Sequence, residues 1–292
     1  MEGTSAPLRV GLLYGFRFRC AFRENICSFC RVVDVNRTPP LGLAISALYF
    51  GIPSAIFTCS LFWLLPWLIA NGTQPLAAFT ISLSIPNMLL LLASIVGFRV
   101  EGNSWNWTSF RNRMRLGAPD ARTWVWTVAL CLGAPFLGSA VEQLRAWLPE
   151  LHLYDRPQAF VAFMRHDVTS VYDHGGQFLG MSLEGRWWII LYFVVVFMVP
   201  NIFGEELWWR GYILPRQELA HSSLAWLTNG ALWEAFHIFY HPTVFSYLVA
   251  LPGALWLAFV AQRTRSTWPG IIGHTVMNYA IPIAIAERVL GR

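Results

Sequence analysis

The sequence contains no lysine; all 21 basic residues are arginine. We read this as a trait of genome composition rather than of mechanism. Charge of either sign is scarce, at 13% of the 292 residues, against roughly 25% in an average soluble domain. An ordinary soluble fold is excluded on that ground. Cysteine is sparse too, with Cys20, Cys27, Cys30, Cys59 and Cys131 making an odd set. Two of them lie inside apolar runs, so there is no disulfide framework. The "CSFC" at 27–30 has redox or half-zinc-site spacing, but no second Cys or His pair stands near it. Residues 1–40 do not read as a cleavable signal: six arginines are spread through them, and no compact apolar core ends in a small-residue cleavage site. Internal repeats and low-complexity segments are absent.

What remains is apolar. Hydrophobic residues make up 55% of the chain, with 15 tryptophans, and the mean hydropathy is +0.46. A spanning helix needs about 20 mostly apolar residues. Seven segments qualify: 41–70, 76–98, 123–144, 187–216, 223–240, 243–262 and 267–289. Pro53, Pro86 and Pro200 fall inside three of them. The expected fold is an all-α, polytopic transmembrane bundle of seven to eight spans. It divides into a basic arm (1–40), three N-terminal spans (41–144), a polar loop (145–186) and a C-terminal core (187–289). The loop is expected to hold one surface helix and a turn at Gly175–Gly176. A pI near 9.1 invites a nucleic-acid reading. The arginines, however, sit in short connections between apolar runs, which fits membrane orientation instead and places the N-terminus in the cytoplasm. No nucleic-acid partner is expected.

Polar residues inside the spans are few and gather in the last third. Glu205, Glu206 and Arg210 close the fourth segment; Asn229, Glu234 and His237 lie in the fifth, with His241 at its rim; His274 and Asn278 lie in the seventh. Ionised groups deep in a bilayer are costly and are usually paired or functional. Glu206 and Arg210 are four apart and can pair on one helix face, which leaves Glu205 without the arginine. His274 and Asn278 share a face in the same way. At 1.5 Å per residue, Glu205, His237 and the His274/Asn278 pair lie about 10–20 Å in from helix ends that the topology puts on the cytoplasmic side. One buried polar site follows. Such a site could carry out hydrolysis, with a buried carboxylate as general base on water, a histidine to orient that water, and an Asn amide beside a His N–H to meet an oxyanion. Trp208, Trp209 and Trp233 read as packing or interfacial residues.

The motifs "EELWWR" (205–210), "WEAFH" (233–237) and "HTVMN" (274–278) resemble, in order and in span placement, the E-E-x-x-x-R, F-x-x-x-H and H-x-x-x-N motifs of the CPBP intramembrane proteases. These include the type II CAAX prenyl endopeptidases and bacteriocin-processing or immunity relatives. Trp233 stands where that family usually has Phe. The resemblance covers about 187–289 and implies an integral-membrane endopeptidase. In it Glu205 activates water with help from His237, His274 and Asn278 stabilise the tetrahedral intermediate, and Glu206 and Arg210 support the site. Zinc is left open by the resemblance; His237, His274 and Glu205 would be its ligands, although there is no H-E-x-x-H. The implied partner is a peptide or protein substrate arriving from the membrane or the cytoplasmic side, and the implied setting is a bacterial inner membrane. Two alternatives stand beside this reading: a non-proteolytic immunity or scaffold member of the family, and a small-ion or proton-coupled transporter. The missing internal repeat argues against the transporter.

Overall fold

The computed structural model describes residues 38–147, 150–173 and 177–291. The "CSFC" pair, most of the basic arm and the turn expected at Gly175–Gly176 lie outside them. Five helical stretches are long and apolar enough to cross a membrane: α1 (Leu43–Ala70), α2 (Pro75–Val100), α3 (Ala121–Ala146), α4 (Trp188–Phe239) and α5 (Val244–Thr264). Two shorter helices, α6 (Trp268–Met277) and α7 (Ala280–Val289), follow.

Five continuous stretches, rather than seven, meet this length and hydropathy for two reasons. First, α4 absorbs the fourth and fifth. Its 52 residues are broken at Ser222, where φ is +52°. Its two arms run antiparallel, since Asn229 bonds back to Trp209 and Trp233 back to Glu205. Second, the segment expected at 267–289 is interrupted at Asn278, which ends α6. The ten residues of α6 rise only about 15 Å, half the hydrocarbon thickness. The polar loop holds the expected helix, Gln158–Phe163. It also holds a two-residue hairpin, Gln177–Phe178 against Met181–Ser182, which the sequence pattern did not suggest.

Four prolines act through the turns that precede them, whereas Pro53 lies inside an unbroken α-helical run. The π-helical turns Ser60–Leu64, Thr80–Ser84, Phe193–Met198 and Leu207–Ile213 each end two residues before a proline: Pro66, Pro86, Pro200 and Pro215. Proline has no N–H to give the carbonyl four residues back, and its ring crowds that carbonyl. The turn opens and donors reach one residue further. The last of these turns carries Arg210. Carbonyls of this turn also accept from other parts of the chain. The Gly211 carbonyl, which Pro215 cannot serve, accepts from Arg113 Nη1 at 2.9 Å. The Tyr212 carbonyl accepts from Arg113 Nη2 at 3.2 Å, and the Trp209 carbonyl from Asn229 Nδ2 at 3.1 Å. Arg113 is itself held by Glu101 through two bonds of 2.6 and 2.7 Å. The neighbouring Met114 carbonyl accepts from the Thr267 hydroxyl at 2.7 Å, just before α6. The loop after α2 therefore clamps the two elements that carry the site.

Candidate active site

Glu205 and Glu206 end the α-helical turn Val199–Glu206, directly before the widened turn Leu207–Ile213. Gly204 lets this helix press against α2: a Cβ there would lie 2.5 Å from the Asn87 carbonyl oxygen. Both carboxylates are buried, at 2% and 0% exposure, and they take different partners.

Glu205 Oε1 accepts from Asn201 Nδ2 at 2.8 Å, and Oε2 accepts from the Trp233 indole N–H at 2.7 Å. His237 Nε2 stands 3.6 Å from the same Oε2. The other ring nitrogen, Nδ1, lies 3.0 Å from the Trp233 carbonyl. A carbonyl only accepts, so Nδ1 carries the proton. In the neutral ring Nε2 then presents a lone pair toward Glu205, so the two are acceptors that one proton donor could serve.

Glu206 forms the second dyad. Its Oε1 accepts from Arg210 Nη1 at 3.0 Å and from His274 Nδ1 at 3.1 Å. The glycine at Gly270 makes room for it; a Cβ there would fall 2.2 Å from Oε2. Among the described residues Oε2 has no hydrogen-bond partner, nor do Arg210 Nε and Nη2. The face of the guanidinium lies over the Trp233 ring at 3.9 Å instead, where the ring quadrupole attracts it.

Trp233 thus joins the two dyads. It gives an N–H to Glu205 and a carbonyl to His237, supports Arg210, and meets both imidazoles edge-on, at 5.1 Å for His237 and 5.3 Å for His274. From the sequence alone it reads as packing. One signal could have revealed more: a Trp where the resembling family has Phe adds a single buried N–H, and such a group needs an acceptor.

The remaining expected residues fall into place unevenly. The Asn278 side chain is exposed, and its amide donates to the His274 carbonyl at 3.1 Å, so it closes the end of α6. Asn229 and Glu234, the other polar residues of the fifth segment, have partners away from the two carboxylates: Asn229 bonds Trp209 and Gln217, and Glu234 lies 3.1 Å from His241. The groups that orient the two histidines are instead Glu206 and the Trp233 carbonyl. Tyr240, which the sequence reading passed over, stacks on His237 at 6.4 Å between ring centres. Its ring marks the rim of the site. The segment before Gln158 lies across this rim. The Tyr154 hydroxyl donates to the Ile238 carbonyl at 2.5 Å, Arg156 donates to the Tyr240 carbonyl, and His152 pairs with Thr243.

The zinc set does not assemble. Among the described residues no three His, Cys, Asp or Glu side chains stand close enough together to hold a metal ion. Glu205 meets His237, while His274 turns its Nδ1 to Glu206.

Residues 186–280 match the family model for type II CAAX prenyl endopeptidases, Rce1-like. No curated protein and no solved structure matches the chain. The matched segment runs from the start of α4 into α7 and contains both dyads, Trp233 and Asn278. Residues 186–280 thus carry an Rce1-like match, which supports the CPBP/CAAX protease family.

Proposed function

We propose that this protein is an integral-membrane endopeptidase in which Glu205 activates water against a peptide bond. The observation that carries this reading is the Glu205–His237 pair. A buried carboxylate and an imidazole lone pair stand 3.6 Å apart, and each is fixed by Trp233. Water held there gives a proton to Glu205 as its oxygen attacks the scissile carbonyl. The resulting oxyanion is met by His274, whose Nδ1–H is held by Glu206; in its protonated form His274 donates from Nε2. The C–N bond then breaks, and the proton on Glu205 passes to the leaving amine. Glu206 holds His274 in place through Nδ1, and Arg210 in turn holds Glu206. The oxyanion role expected of Asn278 requires its amide to leave the His274 carbonyl when substrate binds. No step runs through a metal, because among the described residues Glu205, His237 and His274 do not stand together as a metal-binding set.

In this reading residues 187–289 are the catalytic core, and the three preceding spans with the loop at 145–186 enclose it. The arginine distribution supports a cytoplasmic N-terminus; the family resemblance is the support for a bacterial inner membrane as the setting and for a site reached from the membrane or the cytoplasm. The substrate class is a peptide or the tail of a membrane-associated protein. The test is cleavage of a peptide library by purified protein in detergent or nanodiscs, with products identified by mass. Cleavage at defined bonds supports the reading. A folded protein that cleaves nothing, in soluble or lipidated peptides, would favour the scaffold alternative.

A further inference from the structure

Among the described residues, the buried arginines have acids to pair with, save one. Arg113 pairs with Glu101 and Arg210 with Glu206, and the nearly buried Arg115 pairs with Glu218. Arg216 is 7% exposed, yet among the described residues no carboxylate pairs with it. Its Nε donates to the Pro39 carbonyl at 3.2 Å and its Nη1 to the Tyr212 hydroxyl at 2.9 Å. Nothing among the described residues accepts from Nη2. A buried cation without a counter-charge is costly. A guanidinium with a free donor edge is suited to a phosphate.

The surroundings of Arg216 say what would carry that phosphate. The Arg216 carbonyl accepts from the Leu41 N–H at 3.0 Å, which puts Arg216 level with the start of α1, at the surface end of that helix. Its guanidinium lies 5.8 Å from the Tyr49 ring and 5.2 Å from the Tyr212 ring. Tyr49 stacks on Trp208, and Trp208 on Tyr212. Tyr49 and Trp208 also line a cavity of about 430 Å³ between α1 and α2, within the range of about 300–1,000 Å³ usual for small-molecule sites. Its walls are apolar, with Ile45, Leu48, Ile52 and Ile56 from α1 and Pro86 and Leu89 from α2. Most of these are exposed, from Ile56 at 44% to Leu48 at 60%, so the groove opens sideways toward lipid. From Ile45 to Ile56 it follows α1 for about 16 Å, leading away from Arg216. A charge at the surface end and an apolar channel running inward match one kind of molecule.

We infer that Arg216 and the α1–α2 groove form a binding site for one anionic phospholipid, its phosphate on Arg216 and one acyl chain in the groove. Basic pockets between spanning helices recognise anionic headgroups by the same chemistry.

The test needs no turnover. The purified full chain is stripped of lipid and titrated with phosphatidylglycerol, phosphatidylcholine of the same chains, and inorganic phosphate, with bound lipid counted by native mass spectrometry. Wild type should bind one phosphatidylglycerol at least tenfold more tightly than phosphatidylcholine, and should not bind free phosphate. Arg216→Gln keeps the polar stem and should lose the headgroup preference, whereas Arg216→Lys should keep part of it. Leu89→Trp fills the groove at an exposed position and should weaken both lipids. Equal binding of the two lipids to wild type overturns the assignment, even if Arg216→Gln fails to fold. So does an unchanged preference in Arg216→Gln, tight binding of free phosphate alone, or displacement of the lipid by a substrate peptide.

Discussion

The indole N–H of Trp233 donates to Oε2 of Glu205 at 2.7 Å. The bond sits on the oxygen that His237 also faces, so it fixes which edge of the carboxylate is presented to water. Trp233→Phe keeps the ring against Arg210 and both imidazoles, and keeps the carbonyl under His237. It removes one hydrogen bond to a charged acceptor, worth about 1.5–3 kcal/mol. Expressed in the transition state, that is a fall in kcat/KM of about 10- to 100-fold, with yield and melting temperature near wild type. Steady-state kinetics on the purified variant read this directly, and wild-type kinetics would reduce Trp233 to packing.

Arg210 should behave differently. Its removal leaves Glu206 fully buried with only His274 as partner, and breaking such a pair costs about 3–5 kcal/mol. Arg210→Ala should therefore be lost at the level of folding, seen as low yield and early aggregation on size exclusion. Arg210→Lys keeps the charge but not the flat face over Trp233, and should fall between. Normal folding of Arg210→Ala would contradict a structural pair.

Asn278 separates two roles by size of effect. If its amide only closes α6, as it does with the His274 carbonyl, Asn278→Ala should cost less than tenfold in kcat. The proposed mechanism has it move to the oxyanion, and loss of such a donor costs about 10²–10³ in kcat with KM little changed. We expect the larger loss; a value under tenfold would confine Asn278 to the helix end.

Much of the site was legible because carboxylates, an arginine and histidines are conspicuous in apolar runs. The four-residue spacing of Glu206 and Arg210 gave their pairing, which the structure contains at 3.0 Å. The same spacing suggested that His274 and Asn278 share a helical face, but α6 ends at Met277, and Asn278 turns back to cap it. Spacing within one helix does not predict where the helix stops. Nor does it predict contacts between helices. That Glu206 would take His274 depended on how α6 docks on α4, which Gly270 permits. Trp233 was hidden among many aromatics, its role defined by acceptors that lie on another arm of the chain. Prolines were legible as irregularities. That they open the preceding turns, and so call for Arg113 and Asn229 as capping partners, follows only once the neighbouring helices are in place.

The donor geometry gives an expectation for metal. Purified active protein should hold no stoichiometric zinc by elemental analysis, and chelator treatment should leave its activity within twofold of the starting value. Loss of activity on chelation, with recovery on adding zinc, would mean that His274 leaves Glu206 to join His237 and Glu205 when the ion binds.

The central claim is that Glu205 is the base, and one substitution tests it most directly. Glu205→Gln is nearly isosteric, still accepts from Trp233 through its amide oxygen, and removes a charge that is costly in the membrane. Wild type and Glu205→Gln, purified side by side and matched for yield and thermal stability, should be compared on one cleaved peptide under single-turnover conditions. The proposed mechanism predicts that Glu205→Gln binds the peptide as wild type does and cleaves it at least 10³-fold more slowly, since it cannot take the proton from water. A variant that retains most of the wild-type rate would contradict it and assign the activation of water to another group.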